Sequence, residues 1–299
     1  MLRSQSSSLA FEDGGVSDVA GIISGLYVYP IKSCGGIAVQ QSVLTASGLT
    51  LDRAFMLVDA EGEFVSQREL PRMALIQPQY TEIHLTMSAP AMQTMRIGLA
   101  PEARPASVRV WNDVVPAHDM GDAAAEWFSL FLGQTLRLVR FDTRHRRLSN
   151  LKWTGGIEAP NQFSDGYPLL VVGVASLANL NERLHDAGHA AVSMARFRPN
   201  IVIDGLESHD EDRVDVLRIA VSDGEIQLKL VKPCSRCPIP NIDPATATSS
   251  PAVTETLQTY RQDPRVDGAL TFGMNAIVLQ GGHAPLALGQ SVTADFLFD

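Results

Sequence analysis

The chain has 299 residues, of which 45% are hydrophobic and 19% charged, so it is long enough to bury a core in one large or two modest domains. Its 24 Lys and Arg against 33 Asp and Glu leave a formal net charge of -9 at pH 7, the wrong sign for neutralising phosphates or anionic lipid. Nucleic acid and membrane surfaces are therefore poor partner candidates, and no apolar run approaches the roughly 20 residues of a membrane-spanning helix.

The first half of the chain is predicted to be mostly β. Residues 1–18 are rich in Ser and Gly and lack an apolar stretch after Arg3, so we expect a disordered leader, no signal peptide and a cytoplasmic location. Short strand-like runs separated by turn residues then indicate a meander or small barrel. The predicted strands span residues 25–29, 37–44, 54–58, 81–86 and 108–111. Apolar residues at helical spacing predict one helix over residues 121–133.

The second half alternates strands with a few helices. Residues 140–166 are polar and basic and show neither a helical nor a strand period, so we place a domain boundary near residue 150. Helices are predicted over residues 176–187 and 252–261. The predicted strands span residues 169–172, 200–204, 215–221, 225–231, 269–279 and 291–298. Many strands with few helices indicate an α+β, mostly β fold, again barrel-like.

Several common functional motifs are missing from the sequence. It contains no glycine-rich nucleotide loop, zinc-protease motif or nucleophile elbow, so nucleotide-binding and hydrolase functions lose their usual support. His185 and His189 are interpreted as surface residues at a helix end. The acidic run 207–212 and the basic run 144–147 are interpreted as solvated loops.

Two cysteines spaced as C-x-x-C are the chemically most informative feature. Cys234 and Cys237 follow a predicted strand in a proline-stiffened loop, and the neighbouring Lys232 and Arg236 favour the thiolate form. With only Cys34 in addition, a four-ligand zinc site lacks donors, and the prolines do not suit the helix of a thioredoxin-like couple. Two interpretations stay open: buried inert cysteines, or one thiolate completing the coordination of a metal held mainly by another group.

This cysteine motif resembles a known signature. The segment 232–237, with Asp243 and Pro244 downstream, is similar to that of MOSC-domain proteins, the molybdenum cofactor sulfurase C-terminal type. Other segments resemble the mitochondrial amidoxime reducing component and its bacterial relatives, in the family's order. They are residues 26–36, 48–57, 197–203 and 270–273. The resemblance implies a MOSC N-terminal β-barrel-like domain over residues 19–150, followed by a MOSC β-barrel domain with a few flanking helices over residues 151–299.

The resemblance also implies a molybdenum cofactor, Mo-molybdopterin, between the two domains. Cys237 would be the protein thiolate on the metal, and Asp165 a second catalytic residue near it. The residues that would contact the cofactor are Lys32, Ser33, Arg53, Arg198, Asn200, Ser235, Arg236 and Asn275. Their chemistry suits it, because phosphate prefers Lys and forked Arg donors, and a pterin edge prefers amides and hydroxyls. Gly166-Tyr167 replaces a Thr-Ser pair of the animal enzymes, so the phosphate or pterin contacts of that stretch are expected to differ. The substrate side is also expected to differ, because Asn275 replaces an aromatic residue and residues 239–242 replace a Thr-rich stretch.

The function implied is two-electron reduction of an N-hydroxylated, amidoxime-type substrate or a related N-oxide or S-oxide. Some bacterial relatives carry a C-terminal ferredoxin domain with clustered cysteines, and this sequence has no such cluster. We therefore expect a separate flavin, haem or iron-sulfur protein as electron donor to a monomeric enzyme. The resemblance also brings pyridoxal phosphate binding, but only as a general description of the family and not as a site assigned in this chain.

Two alternatives belong to other classes of protein. In the first, Cys237 holds the cofactor or a persulfide for delivery to a partner, and the protein is a non-catalytic carrier. In the second, the C-x-x-C is a structural or redox-sensing pair. Bound molybdenum discriminates between the reductase and the redox sensor, and exchangeability of the cofactor discriminates between the reductase and the carrier.

Overall fold

A computed structural model describes residues 17–99, 104–222 and 224–297. Most of the leader expected over residues 1–18 lies outside these ranges. Within them the α-helices are α1 (Asp122–Leu132), α2 (Leu151–Thr154), α3 (Val174–Asp186) and α4 (Ala252–Gln258). Short 3-10 helices cover Pro71–Leu75, Met194–Arg196, Asp210–Arg213, Ile239–Asn241 and Pro264–Val266. No helix of the described residues is both long and apolar enough to cross a membrane.

Strands dominate the molecule. Those of the first half are β1 (Val19–Val28), β2 (Ile37–Ala38), β3 (Gln41–Thr45), β4 (Gly48–Leu49), β5 (Phe55–Val58), β6 (Gln77–Tyr80), β7 (His84–Ser88), β8 (Met95–Gly98), β9 (Arg104–Val110), β10 (Asp113–Asp119) and β11 (Arg137–Phe141). Those of the second half are β12 (Arg147–Leu148), β13 (Pro160–Asn161), β14 (Leu169–Gly173), β15 (Ile201–Asp204), β16 (Val214–Val221), β17 (Gly224–Ser235), β18 (Gln262–Asp263), β19 (Ala269–Gln280), β20 (Pro285–Ala287) and β21 (Ser291–Phe296). The α+β, mostly β class predicted from the sequence is confirmed.

Seven strands close into a barrel in the order β14, β15, β1, β21, β16, β17, β19, and β19 pairs back with β14. Its apolar core includes Ile23, Leu217 and Leu228. Closure depends on a close approach at Gly273, where φ is +75° and a Cβ would lie 2.8 Å from the carbonyl oxygen of Val171. Only glycine tolerates both conditions without a shift of the neighbouring backbone.

The first strand crosses the boundary that we place near residue 150. β1 pairs with β15 and β21, so residues 19–28 belong to the barrel of the C-terminal half. β2 pairs with β1, and β3 and β4 form a small sheet with β20 of the second half. The other strands of the first half form the four-stranded sheet β5-β11-β10-β9 and the three-stranded sheet β6-β7-β8, with α1 packed on their core. We keep residue 150 as the proposed boundary for the remainder of the chain.

The helices of the second half cover one side of the barrel. Leu180 and Leu184 of α3 pack with Val253 and Leu257 of α4 in one buried cluster. The same cluster includes Phe197 and other residues that lead to the cysteine loop. The two helices therefore pack against the buried residues that support the cysteine loop.

Two loops expected to be solvated are instead anchored. Glu211 is fully buried, and its carboxylate accepts hydrogen bonds from the backbone N–H of Gly173 and the hydroxyl of Ser176. Arg147 is also buried and donates to Asp113, 2.7 Å, and to backbone oxygens after β13. Charge runs on a sequence do not reveal which members have buried partners, and that explains both errors.

Candidate functional site

A groove of about 810 Å³, counting space open to solvent, lies between the two halves of the protein. All ten side chains singled out in the sequence line it. They are Lys32, Ser33, Arg53, Asp165, Arg198, Asn200, Ser235, Arg236, Cys237 and Asn275. Segments more than 200 residues apart in the sequence therefore meet in one cavity.

Three of these residues have a left-handed backbone. Ser33 has φ +65°, Arg53 +48° and Arg198 +57°. Non-glycine residues adopt this region rarely, and it costs on the order of 1–3 kcal/mol where the surroundings impose it. Such strain is concentrated at functional sites in proteins, and here three strained residues line the same groove.

Lys32 joins the two halves through its ammonium group. It follows β1, and its Nζ donates to the carbonyl oxygen of Phe163, 2.9 Å, and to Asp165 Oδ1. Burial lowers the pKa of Lys32 and the ion pair opposes that shift. Desolvation works to raise the pKa of Asp165, but the charge and hydrogen bond of Lys32 outweigh it and hold that pKa well below its usual range. Asp165 is therefore an ionised carboxylate at the groove.

Arg53 is held by a buried hydrogen-bond network. Its Nη1 donates to Asp52 Oδ2, 2.5 Å, and to Asn200 Oδ1, 3.0 Å, and its Nη2 donates to the carbonyl oxygen of Arg198, 3.0 Å. Asp52 also accepts from the backbone N–H of Tyr29, 2.8 Å. Burial raises the pKa of Asp52, and the Arg53 guanidinium counteracts that shift. Asn200 is 1% exposed and also donates to the carbonyl oxygen of Tyr27. It therefore joins the two halves and also lines the groove.

Two guanidinium groups contact one buried tyrosine ring. The Cζ atoms of Arg53 and Arg198 lie 4.4 and 4.3 Å from the ring centroid of Tyr29. Desolvation raises the pKa of the Tyr29 hydroxyl, although both cations oppose it. Desolvation and the nearby Arg53 charge lower the pKa of Arg198 to about 10. Two buried cations this close create a positive potential that an anion in the groove would relieve.

The cysteine motif lies partly inside a strand. The sequence predicted both thiols after a strand, but β17 extends through Cys234 and ends at Ser235. Register shifts against β19 let the strand continue past Pro233. Arg236 Nη1 lies 3.0 Å from Cys234 Sγ, and its Nη2 donates to the carbonyl oxygen of Phe197, 3.1 Å. Cys237 follows in the loop and is half-buried.

The loop after Cys237 is braced from outside the groove. Arg196 Nη1 donates to the carbonyl oxygens of Pro240 and Asn241, 3.2 and 3.0 Å, and its Nη2 donates to Asp243, 3.1 Å. Asn241 in turn bonds Thr254 of α4. Asp243, which lies downstream in the cysteine signature, therefore has a structural role: its carboxylate helps to fix the loop that presents the thiol.

Several buried polar atoms near the groove have no hydrogen-bond partner among the described residues. They include Arg198 Nη2, Arg236 Nε and Tyr167 Oη, and all three residues line the groove. Burial raises the pKa of Tyr167 to about 12, so its hydroxyl keeps its proton as a donor. Buried donors without acceptors are rare in native proteins and point to a missing ligand or water.

The structure also places three further residues that the sequence analysis considered, Cys34, His185 and Asn275. Cys34 is fully buried, and desolvation raises the pKa of its thiol to about 12, so it is chemically inert. The His185 side chain is 88% exposed, as expected for a surface residue. Asn275 donates to the carbonyl oxygen of Lys232, 3.2 Å, and thereby ties β19 to β17 at the groove.

The sequence did not predict Arg68 and Ser66 as groove residues or Trp111 as a neighbour of the groove, whereas Tyr167 was named there as a departure from the family's pattern. Arg68 and Ser66 lie between β5 and β6 in a stretch with no recognised motif. The Trp111-Asn112 pair between two strand-like runs was the one usable signal, since a two-residue turn indicates a hairpin tip. Its approach to Asp165 is a tertiary contact that no local pattern encodes.

The fold and the groove define a two-part MOSC-type protein. Residues 20–135 match the model of the MOSC N-terminal beta barrel domain, and residues 158–293 match that of the MOSC domain. The chain belongs to the family of the amidoxime-reducing components. It is 36% identical over 256 residues to mitochondrial amidoxime-reducing component 1 of Homo sapiens, covering 82% of this chain and 73% of that protein.

Two further relatives give similar values. Mitochondrial amidoxime-reducing component 1 of Mus musculus is 35% identical over 251 residues, covering 81% of this chain and 72% of the relative. Mitochondrial amidoxime reducing component 2 of Homo sapiens is 32% identical over 254 residues, with the same coverage. The family resemblance expected from the sequence is therefore confirmed.

Proposed function

We propose that this protein is a molybdenum cofactor-dependent oxidoreductase that reduces N-hydroxylated, amidoxime-type substrates or related N-oxides and S-oxides by two electrons. The names of its relatives support an amidoxime-reducing activity. The observation that carries the proposal is the combination in one groove of a half-buried thiol, Cys237, with two buried guanidinium nitrogens, Arg198 Nη2 and Arg236 Nε, that have no acceptor among the described residues.

The groove residues fit an anionic molybdenum cofactor. Arg198 Nη2 and Arg236 Nε are buried donors that lack acceptors within the described part of the chain, and phosphate and pterin oxygens would supply them. Cys237 offers the soft sulfur that suits molybdenum. The residues that would complete the binding site are Lys32, Ser33, Arg53, Asn200, Ser235 and Asn275.

Side chains of the groove would hold the substrate and fix the thiolate. When bound, the cofactor supplies two-electron, oxygen-atom chemistry. Asp165 stays ionised because Lys32 and the indole N–H of Trp111 both donate to its Oδ1. Its Oδ2 keeps lone pairs for an N–H or O–H of an N-hydroxylated amidine. The ordered loop around Cys237 would fix the thiolate in place.

Turnover with matched cysteine variants tests this proposal. The protein is purified from a host that makes the cofactor and is assayed for amidoxime reduction with an artificial electron donor. We expect Cys237→Ala to abolish reduction and Cys234→Ala mostly to spare it, because only one of the two thiols is proposed as the ligand. Equal loss in both variants contradicts the ligand assignment. A cofactor that exchanges freely without turnover favours the carrier function.

The wider setting of the enzyme stays a set of predictions. A separate flavin, haem or iron-sulfur protein is the proposed electron donor, and reconstitution with purified donors of each class would identify it. The relatives are named mitochondrial, so the cytoplasmic location expected from the sequence stays a prediction that cell fractionation would test. The predicted monomeric state is tested by sedimentation.

A further inference from the structure

A strained tryptophan lies beside the groove. Trp111 occupies the two-residue loop between β9 and β10, with φ +57°. A bulky residue in this region is a clear outlier, because hairpin loops reserve such positions for Gly, Asn or Asp. Trp111 is nevertheless 42% exposed, so burial in a core does not explain its position.

Trp111 contacts two residues that line the groove, Arg68 and Asp165, and one aromatic neighbour, Phe64. Its ring centroid lies 4.9 Å from that of Phe64, and the guanidinium carbon of Arg68 lies 4.7 Å from its ring. Its indole N–H donates to Asp165 Oδ1, 3.2 Å. Arg68 and Asp165 both line the groove. We call Phe64, Arg68 and Trp111 the aromatic rim.

Arg68 lies against the Trp111 ring, and its charge also acts on the nearby Asp165. Within the described residues its one ion-pair contact is to Glu69, at 3.9 Å, which is longer than a hydrogen bond. Its guanidinium also lies 5.9 Å from the Phe64 ring. A guanidinium plane covered on one side by an indole ring is a typical stacking surface for a flat, conjugated ligand on its other side.

We propose that the aromatic rim is a substrate subsite that binds the planar conjugated part of aromatic N-hydroxylated amidines, while the neighbouring Asp165 accepts a hydrogen bond from their N–H or O–H group. This inference rests on the proposed reductase function and adds the substrate class. The rim selects aromatic over aliphatic amidoximes, because a conjugated ring that stacks on Arg68 and Trp111 gains an attraction that an alkyl group does not recover.

Binding measured without turnover tests the subsite. Calorimetric titrations of the oxidised protein, with no electron donor, give dissociation constants for an aromatic and an aliphatic amidoxime. We expect Trp111→Asn to weaken binding of the aromatic compound about tenfold and of the aliphatic one less than twofold. Asn tolerates the left-handed backbone, so the hairpin is retained. Trp111→Phe should restore most of the selectivity, and Arg68→Gln should lose it.

A control on the same hairpin and an independent assay separate the possible failures. Val114→Ala removes an exposed side chain of β10 and should change neither constant. If wild type reduces both compounds but Trp111→Asn keeps the wild-type ratio of the two constants, the subsite is wrong and the reductase stands. If wild type loaded with molybdenum reduces neither compound, the proposed function fails and the subsite falls with it.

Discussion

The two walls of the groove use their cations differently. On the N-terminal wall, acceptors of the protein itself occupy Lys32 and Arg53, through Asp165 in one case and Asp52 and Asn200 in the other. On the C-terminal wall, Arg198 and Arg236 each keep one buried nitrogen with no acceptor in the described ranges. Arg198 Nη1 also donates to the carbonyl oxygen of Cys34, 2.5 Å, and so contributes to joining the halves. We infer that the first pair of cations is structural, while the unsatisfied Nη2 of Arg198 and Nε of Arg236 are available to the ligand.

Among the substitutions considered, Arg53→Gln in the N-terminal wall should lower the free energy of unfolding most. Asp52 is 3% exposed and would lose its cation, and removal of one member of a buried ion pair costs about 3–5 kcal/mol. Urea unfolding of the cofactor-free protein measures the change. Arg109→Gln is the matched control, because its pair with Glu63 is half-exposed and should contribute less than about 1 kcal/mol. Similar losses in the two variants would contradict the assignment of Arg53 as a structural cation.

Arg198→Gln and Arg236→Gln should show the reverse pattern. The free energy of unfolding of the cofactor-free protein is expected to fall by less than about 2 kcal/mol, below the loss in Arg53→Gln. Each substitution removes a hydrogen bond to a backbone carbonyl, that of Cys34 or Phe197, but it also removes an unsatisfied buried donor. Loss of a charge-assisted hydrogen bond should weaken cofactor binding about 10- to 100-fold. Retained cofactor after dialysis, measured as pterin fluorescence, checks the second expectation. Full retention in both variants would mean that these nitrogens bind only water.

His209 offers a comparison outside the groove, because its ring nitrogens also have no hydrogen-bond partner within the ranges that the structure describes. Its ring packs against Tyr260 and Phe272. Desolvation, helped by Arg261 and Arg183, lowers its pKa to about 4. The unfolded chain therefore takes up the proton first on acidification, so the contribution of His209 to stability is full above about pH 6.5 and is lost as the pH falls to 4.

We expect this loss to be on the order of 1 kcal/mol and to be absent in His209→Asn, which also tolerates the left-handed backbone of that position. Unfolding free energies of the two proteins between pH 7 and 4.5 measure it. Cofactor content should be the same in both. Parallel pH profiles would show that the histidine titrates normally in the folded state.

The fold was predictable wherever local patterns are strong. The helix expected over residues 121–133 is α1, and the strand expected over residues 54–58 is β5, because apolar spacing determines both. β11 was missed because Arg137 and Arg140 interrupt its apolar residues. The membership of β1 in the C-terminal barrel depends on pairing with strands about 180 residues or more away, which local patterns do not encode.

The site divides in the same way. The ten residues predicted from family motifs, such as Cys237 and Arg198, line one groove, and their roles stay predictions. Arg68 and Trp111 belong to no motif and reach the groove through tertiary contacts. The Cys-bearing loop was expected to be rigid because of its prolines, but the structure adds the Arg196 brace, a contact between segments some 45 residues apart. Sequence motifs thus identify the residues proposed to carry the chemistry, and only the packing identifies the residues that hold them in place.

The most direct test of the central claim is the molybdenum and pterin content of the purified protein beside that of Cys237→Ala, from a host that makes the cofactor. We predict near-stoichiometric metal and pterin in wild type and a large loss of metal in the variant. Absence of molybdenum from both proteins would contradict the account, and the groove would then belong to a carrier or redox-sensing protein.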